Sequence, residues 1–201
     1  MSDIVNEPYV LRRDDGKVAT LTLNRPQQRN ALSRPLIDAL TAAIQDVASN
    51  PAIKVIVLAA NGPVFCSGHD LKELRANNDP KWTRDLFDSC SAMMLAMTRA
   101  PQPIIARVHG VATAAGCQLV ATADLAVAVS TATFATPGVN IGLFCSTPMV
   151  ALSRNVGRKK AMEMLLTGKP VGAAEAEAMG LINVTCAPEK LDETVYGLAQ
   201  V

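Results

Sequence analysis

Apolar residues along this chain gather into short unbroken runs that alternate with longer stretches of helical spacing. Val18-Ala19-Thr20-Leu21-Thr22-Leu23 reads as a strand with its threonines on one face, and Asn24-Arg25-Pro26 ends it. Ser33 then stands where a helix N-cap belongs, with Pro35 inside the first turn. Leu36, Ile37, Leu40, Ala43, Ile44 and Val47 recur at helical spacing until Asn50-Pro51. Val55 to Ala59 is continuously apolar, as expected of a strand buried on both faces of a sheet. A polar segment, Asn77 to Lys81, precedes a second helix that ends before Pro101-Gln102-Pro103. Ile104 to Val108 and Leu125 to Val129 predict further strands, with a short helix at Ala115 to Ala121 between them. Helical patterns dominate afterwards, at Met149 to Val156, Lys159 to Leu166, Ala173 to Met179 and from Pro188 onward. This alternation predicts an α/β fold with mostly parallel pairing. No internal repeat, low-complexity tract or linker divides residues 1–201, which read as one domain.

Composition narrows the class. Hydrophobic residues make up 49% of the chain and aromatic ones only 3%, so the core is built from Ala, Val, Leu, Ile and Met. A net charge of +1, from 19 basic and 18 acidic residues, leaves no footprint for nucleic acid or an anionic membrane. No apolar run approaches the ~20 residues that a membrane helix needs, so no membrane insertion is expected. Met1 to Asp15 holds Asp3, Glu7, Asp14 and Asp15 and no apolar stretch of the kind a signal peptide carries. The expectation is therefore a cytoplasmic protein. Cys66, Cys90, Cys117, Cys145 and Cys186 lie too far apart for a zinc site or a disulfide framework, so they are expected to be reduced and to hold no metal.

Two small-residue turns carry the candidate chemistry: Phe65-Cys66-Ser67-Gly68-His69-Asp70-Leu71 and Val111-Ala112-Thr113-Ala114-Ala115-Gly116-Cys117-Gln118. Each follows a strand-like run, and small residues let bare backbone N–H groups approach a ligand. Two such donors converging on one carbonyl oxygen form an oxyanion hole. Other signatures are missing: no GxGxxG follows a strand, and neither GxxxxGK[ST] nor HExxH occurs. Cys66-Ser67-Gly68 is a poor nucleophile elbow, because Phe65 stands where the first glycine is required. With only His69 and His109 available, a Ser–His or Cys–His pair is the weaker reading.

In order and spacing, these turns and their flanks resemble the crotonase, or enoyl-CoA hydratase/isomerase, superfamily. The marks are Leu23-Asn24-Arg25-Pro26 with Asn30-Ala31-Leu32, then Phe65 to Leu74, then Ala115-Gly116-Cys117-Gln118-Leu119. Phe134 to Gly142, Ala161 to Gly168 and Ala173 to Ile182 complete a likeness that runs from Val10 to the last residue. Gln118-Leu119 together with Phe134 to Pro148 looks most like the enoyl-CoA hydratase domain-containing protein 3 subgroup, which by itself supplies no reaction. The resemblance implies a crotonase-type ββα spiral and an oxyanion hole made by the backbone N–H groups of His69 and Ala115. It places Ser67, Gly68, Asp70, Leu71, Lys72 and Gly116 around coenzyme A, with Arg25 as a phosphate partner. Coenzyme A enters as part of the substrate, an acyl-CoA thioester, and no separate cofactor is implied. A homo-oligomer, a trimer or dimer of trimers, is implied as well. Family members continue past the position of Val201, so the C-terminal helical region is expected to be truncated or missing.

The departures from the family matter for mechanism. Family hydratases carry glutamates at two positions held here by Gln118 and Gly138, and neither an amide nor a hydrogen atom titrates near pH 7. Losing general acid–base assistance costs ~10² to 10⁴-fold per group, whereas an oxyanion-hole donor is worth ~10² to 10³-fold. The expectation is an acyl-CoA site whose hydratase activity is weak or absent. The alternatives are another oxyanion-dependent reaction (isomerisation, thioester hydrolysis, decarboxylation) or a non-catalytic acyl-CoA binder. Cys145, Ser146 and Thr147 could face the acyl chain, although Ser146 also reads as the N-cap of the following helix. Asp70 is expected to brace its turn, and His109 to hydrogen-bond within the turn at Gly110.

Overall fold

The computed structural model describes residues 7–201. β1 (Val10–Asp15) and β2 (Val18–Leu23) form an antiparallel hairpin, and α1 (Arg34–Ala48) follows. β3 (Val55–Ala60) pairs parallel to β2, with Val18 opposite Val55. The chain then leaves for a second sheet as β4 (Val64–Cys66) and returns through α2 (Leu71–Ala76) and α3 (Pro80–Arg99). The same ββα unit recurs as β5 (Ile104–Val108), β6 (Val111–Thr113) and α4 (Ala115–Thr122). It recurs again as β7 (Leu125–Val129), β8 (Thr133–Ala135) and, after a 3-10 turn at Pro137–Ile141, α5 (Ser146–Asn155). α6 (Arg158–Thr167), β9 (Val171–Gly172), α7 (Ala173–Ala178), β10 (Val184–Cys186) and α8 (Leu191–Leu198) complete the described chain.

The long strands form one sheet in the order β1-β2-β3-β5-β7-β10, and the short ones a second in the order β4-β6-β8-β9. Pairing is parallel throughout except at β1 with β2 and β8 with β9. Unbroken apolar runs suit this sheet because Val57, Leu58, Ala106, Val108 and Val127 are all buried, leaving no solvent face to alternate with. α1 carries the expected cap, with the Ser33 hydroxyl accepting from the Leu36 N–H at 3.4 Å. Its Leu36, Ile37, Leu40, Ile44 and Val47 are buried, while Ala43 is only partly so. Each large side chain so buried contributes ~1.5 to 3 kcal/mol.

Two features of the fold differ from the sequence-based expectation. The runs Val55–Ala59 and Ile104–Val108 do not lead straight into the two turns; β4 and β6 intervene, and Val111–Thr113 is itself a strand. Three-residue strands carry too few positions for a period of two to be seen. The ββα unit is also a structural repeat without a sequence repeat, because each copy keeps only the strand order and not the side chains.

Candidate active site

The ends of β4 and β6 bring the two turns into contact. At the first, Gly68 has φ 89, and a parallel bridge joins Leu32 to His69. The Leu32 N–H donates to the Gly68 carbonyl at 2.7 Å, and the Asp70 N–H donates to the Leu32 carbonyl at 3.1 Å. The intervening His69 N–H finds no acceptor among the described residues. At the second turn Ala114 adopts φ 51, ψ −120, a conformation costing a non-glycine residue ~1 to 3 kcal/mol. Its N–H is held by the Ala135 carbonyl at 2.9 Å, and the chain turns into α4. Ala115 is thus the first residue of that helix, and its N–H is one of the amides a helix start leaves without a partner.

The approach of the turns is set by glycine. A Cβ on Gly68 would lie 2.8 Å from the Ala114 Cβ and 3.3 Å from the Ala115 nitrogen; one on Gly116 would lie 2.2 Å from the Cys66 carbonyl oxygen. Any side chain at either position would push the turns apart. Asn30 braces the assembly from below: fully buried at φ 51, it donates to the carbonyls of Asn61 and Val64, each at 2.8 Å, and accepts from the Arg25 N–H at 2.9 Å.

His69 and Ala115 open onto one cavity of about 430 Å³, lined otherwise by Ser67, Leu71, Leu74 and Phe87 and by the wall from Pro137 to Pro148. Gly138 stands on that wall, where a Cβ would meet the Leu143 carbonyl oxygen at 2.7 Å and the Cys145 sulfur at 2.9 Å. Ile141, Leu143 and Phe144 on the same wall are 60%, 58% and 43% exposed. His69 and Cys145 are the only lining residues with an ionisable side chain. Burial alone pulls the His69 imidazole down to about 4, and its ring packs against Phe87 with centroids 4.8 Å apart. Burial pushes the Cys145 thiol up, and its sulfur accepts the Gly138 N–H at 3.3 Å.

Gln118 lies elsewhere. It lines a larger cavity of about 520 Å³ between α3, α4 and α5, where its side-chain oxygen is buried without a partner. That cavity contains neither His69 nor Ala115, and Thr147 borders both. Leu71 and Ser67 line the smaller cavity, and Lys72 is exposed at the start of α2. Asp70 caps α2, accepting from the N–H groups of Lys72 and Glu73 at 3.1 and 3.2 Å. Its other oxygen pairs with Arg25 at 3.3 Å, and Arg25 also donates to the Ala31 carbonyl and lies over Tyr9, so its guanidinium is largely engaged within the protein.

Two local expectations are corrected, and the weaker reading of a Cys–His pair is set aside. His109 bonds the Gly62 carbonyl at 2.7 Å rather than its own turn, since the β3–β4 connection passes beside it. Ser146 is the first residue of α5, not its cap; Cys145 holds the cap position and no side chain bonds the first turn. Cys66 is fully buried with its thiol pushed up to about 12 and donating to the Asn30 carbonyl, so no Cys66–His69 nucleophile forms. All five cysteines are free, and no helix among the described residues is long and apolar enough to cross a membrane.

Spiralling ββα units around two sheets define a crotonase-type α/β fold. The model of the enoyl-CoA hydratase/isomerase family matches residues 13–201, so the chain belongs to that family. It is 48% identical over 190 residues to "Enoyl-CoA hydratase domain-containing protein 3, mitochondrial" of Danio rerio, covering 94% of this chain and 66% of the relative. The chain thus spans about two thirds of that protein's length. A crystal structure of enoyl-CoA hydratase from Mycobacterium smegmatis superposes with a TM-score of 0.94 at 54% identity, covering 96% of this chain and 76% of that one. Human enoyl coenzyme A hydratase domain-containing protein 3 gives a TM-score of 0.93 at 45% identity, with coverage of 96% and 76%. The cytoplasmic expectation is overturned by these relatives, whose names in zebrafish, rat and human specify mitochondria. That expectation rested on the acidic make-up of Met1 to Asp15, which does not report where a protein resides.

Proposed function

We propose that this chain binds an acyl-CoA thioester with the carbonyl oxygen between the N–H groups of His69 and Ala115, and that it hydrates enoyl-CoA weakly or not at all. One observation carries the reading: the cavity shared by those two unpartnered amides has no aspartate or glutamate in its lining. Polarisation is available there without the paired carboxylates that would activate water and protonate the α-carbon. The apolar lining suits an acyl chain. Ser67, Gly68, Asp70, Leu71, Lys72 and Gly116 take the coenzyme end, with Asp70 and Arg25 acting chiefly by holding that turn. Coenzyme A is part of the substrate, and no further cofactor is required. Assembly is as a homo-oligomer, which gives the exposed Met162 and Leu166 of α6 a surface to cover.

Calorimetric titration with crotonyl-CoA, run beside a steady-state hydration assay, tests this. Binding is expected with hydration slower by at least ~10²-fold than in a relative that has both carboxylates. Rapid hydration by the unmodified protein would overturn the reading, as would failure to bind any acyl-CoA.

A further inference from the structure

We propose that the His69 imidazole is a catalytic base that takes the α-proton of the bound thioester, making the cavity a one-base proton-transfer site. The inference rests on the acyl-CoA reading above and goes beyond it, since that reading uses only the His69 amide. The ring hangs from the same Cα as that amide and both line one cavity, so an oxygen held at the amide leaves the thioester α-carbon, two bonds away from that oxygen, within reach of the imidazole. Phe87 limits the ring's rotation from α3, with planes tilted by 58°. A histidine whose ring nitrogen is buried ordinarily makes hydrogen bonds that account for its presence, yet neither nitrogen of this half-buried His69 has a partner among the described residues, and Nε2 is buried without one. The side chain has no hydrogen bond to maintain and lines the cavity that would take a substrate.

The charge state fits the task. Asp70 is turned to Arg25, Glu73 accepts the Arg34 N–H at 2.9 Å, and Arg84 and Asp88 on α3 are exposed. From β4 and the opposite wall the ionisable neighbours are the Cys66 and Cys145 thiols, both held protonated by burial. The ring is therefore neutral at pH 7. A conjugate acid near 4 also gives it about the basicity of an ordinary carboxylate, ~4.3, without the negative charge.

The step balances with no co-reactant. The Cα–H bond breaks, the proton passes to a ring nitrogen, and the electron pair moves into the thioester as an enolate whose oxygen the two amides hold. The imidazolium then returns the proton to the α-carbon. With a 3-enoyl thioester it returns it to the γ-carbon instead, giving the 2-enoyl isomer. Hydration needs a second group to activate water; this 1,3-shift does not. The arrangement therefore favours allylic isomerisation over hydration.

Proton NMR of butyryl-CoA in D₂O, with affinity measured in parallel, separates the possibilities. The unmodified protein should wash out the α-protons. His69→Gln and His69→Asn, each checked for folding by circular dichroism, should keep the affinity and lose ~10² to 10⁴-fold in exchange rate. The exchange rate should climb as pH rises through the acid range and stay level near neutrality; a Cys145 base would instead make it climb only in the alkaline range. Unchanged exchange in both variants, an alkaline limb, or binding without exchange by the unmodified protein would overturn the assignment. Failure of the unmodified protein to bind butyryl-CoA would defeat the acyl-CoA reading, and this proposal with it.

Discussion

The two walls of the cavity are built on opposite terms. On the oxyanion side, backbone lies against backbone: added methyl groups on Gly68 or Gly116 would collide at 2.8 and 2.2 Å, and Asn30 ties the turns into the sheet beneath. On the other side, Pro137 to Cys145 offers exposed Ile141, Leu143 and Phe144, with Gly142 at its bend at φ 75 and open space around it. The polarising half of the site is thus fixed by packing that tolerates almost no change. The opposite half, apart from the closely packed Gly138, is a surface loop whose Ile141, Leu143 and Phe144 can exchange side chains at little cost to folding. A fold organised this way can keep the polarising amides and the His69 ring in place while the opposite, acyl-facing wall changes.

Substitutions can break that contrast, and the largest effect is expected at Gly116. Gly116→Ala drives a Cβ into the Cys66 carbonyl, so a loss of ~3 kcal/mol or more is expected in urea unfolding. A near-normal midpoint would show that the turns are not in rigid contact. Acid should come next. Burial lowers both His69 and His109, so the unfolded chain takes up protons first and stability falls as pH drops from ~6.5 towards 4. For His69 the gap between 6.5 and about 4 corresponds to roughly 3 kcal/mol. Urea midpoints at pH 7 and 4.5 should separate clearly in the unmodified protein and much less in His69→Gln; equal separations would deny that His69 is buried neutral.

Gly68→Val should leave a folded protein with acyl-CoA affinity reduced by at least tenfold, because the left-handed backbone and the Ala115 amide are both disturbed. Unaltered affinity by calorimetry would remove the turns from the binding site. Ala114→Gly relieves φ 51 at the cost of chain entropy, and a net gain of up to ~2 kcal/mol is expected in thermal melts. Across the cavity, Leu143→Ala should change stability by less than ~0.5 kcal/mol, as an exposed loop side chain does. A large loss there would mean that the wall is as rigid as its counterpart.

Much of the fold was legible in the sequence because it depends on runs long enough to show a period. α1 with its Ser33 cap, the buried strands β3, β5 and β7 and the paired turns all follow from residue pattern. What escaped depends on contacts between distant segments: the second sheet of three-residue strands, and His109 bonding Gly62 across 47 positions. The separation of Gln118 and Gly138 into neighbouring cavities escaped for the same reason, since spacing along α4 does not show what the helix packs against. Likewise, the barrier to a side chain at Gly138 comes from the Leu143 carbonyl and the Cys145 sulfur, contacts that the sequence does not display.

Everything proposed for the cavity depends on the two amides holding a thioester oxygen. Infrared difference spectroscopy of butyryl-CoA labelled with carbon-13 at the thioester carbonyl reads this directly. Bound to the unmodified protein at saturation, the carbonyl band should move to lower frequency than in free solution, and the shift should shrink in Gly68→Val. A saturated complex whose carbonyl band stays at its solution frequency would contradict the account.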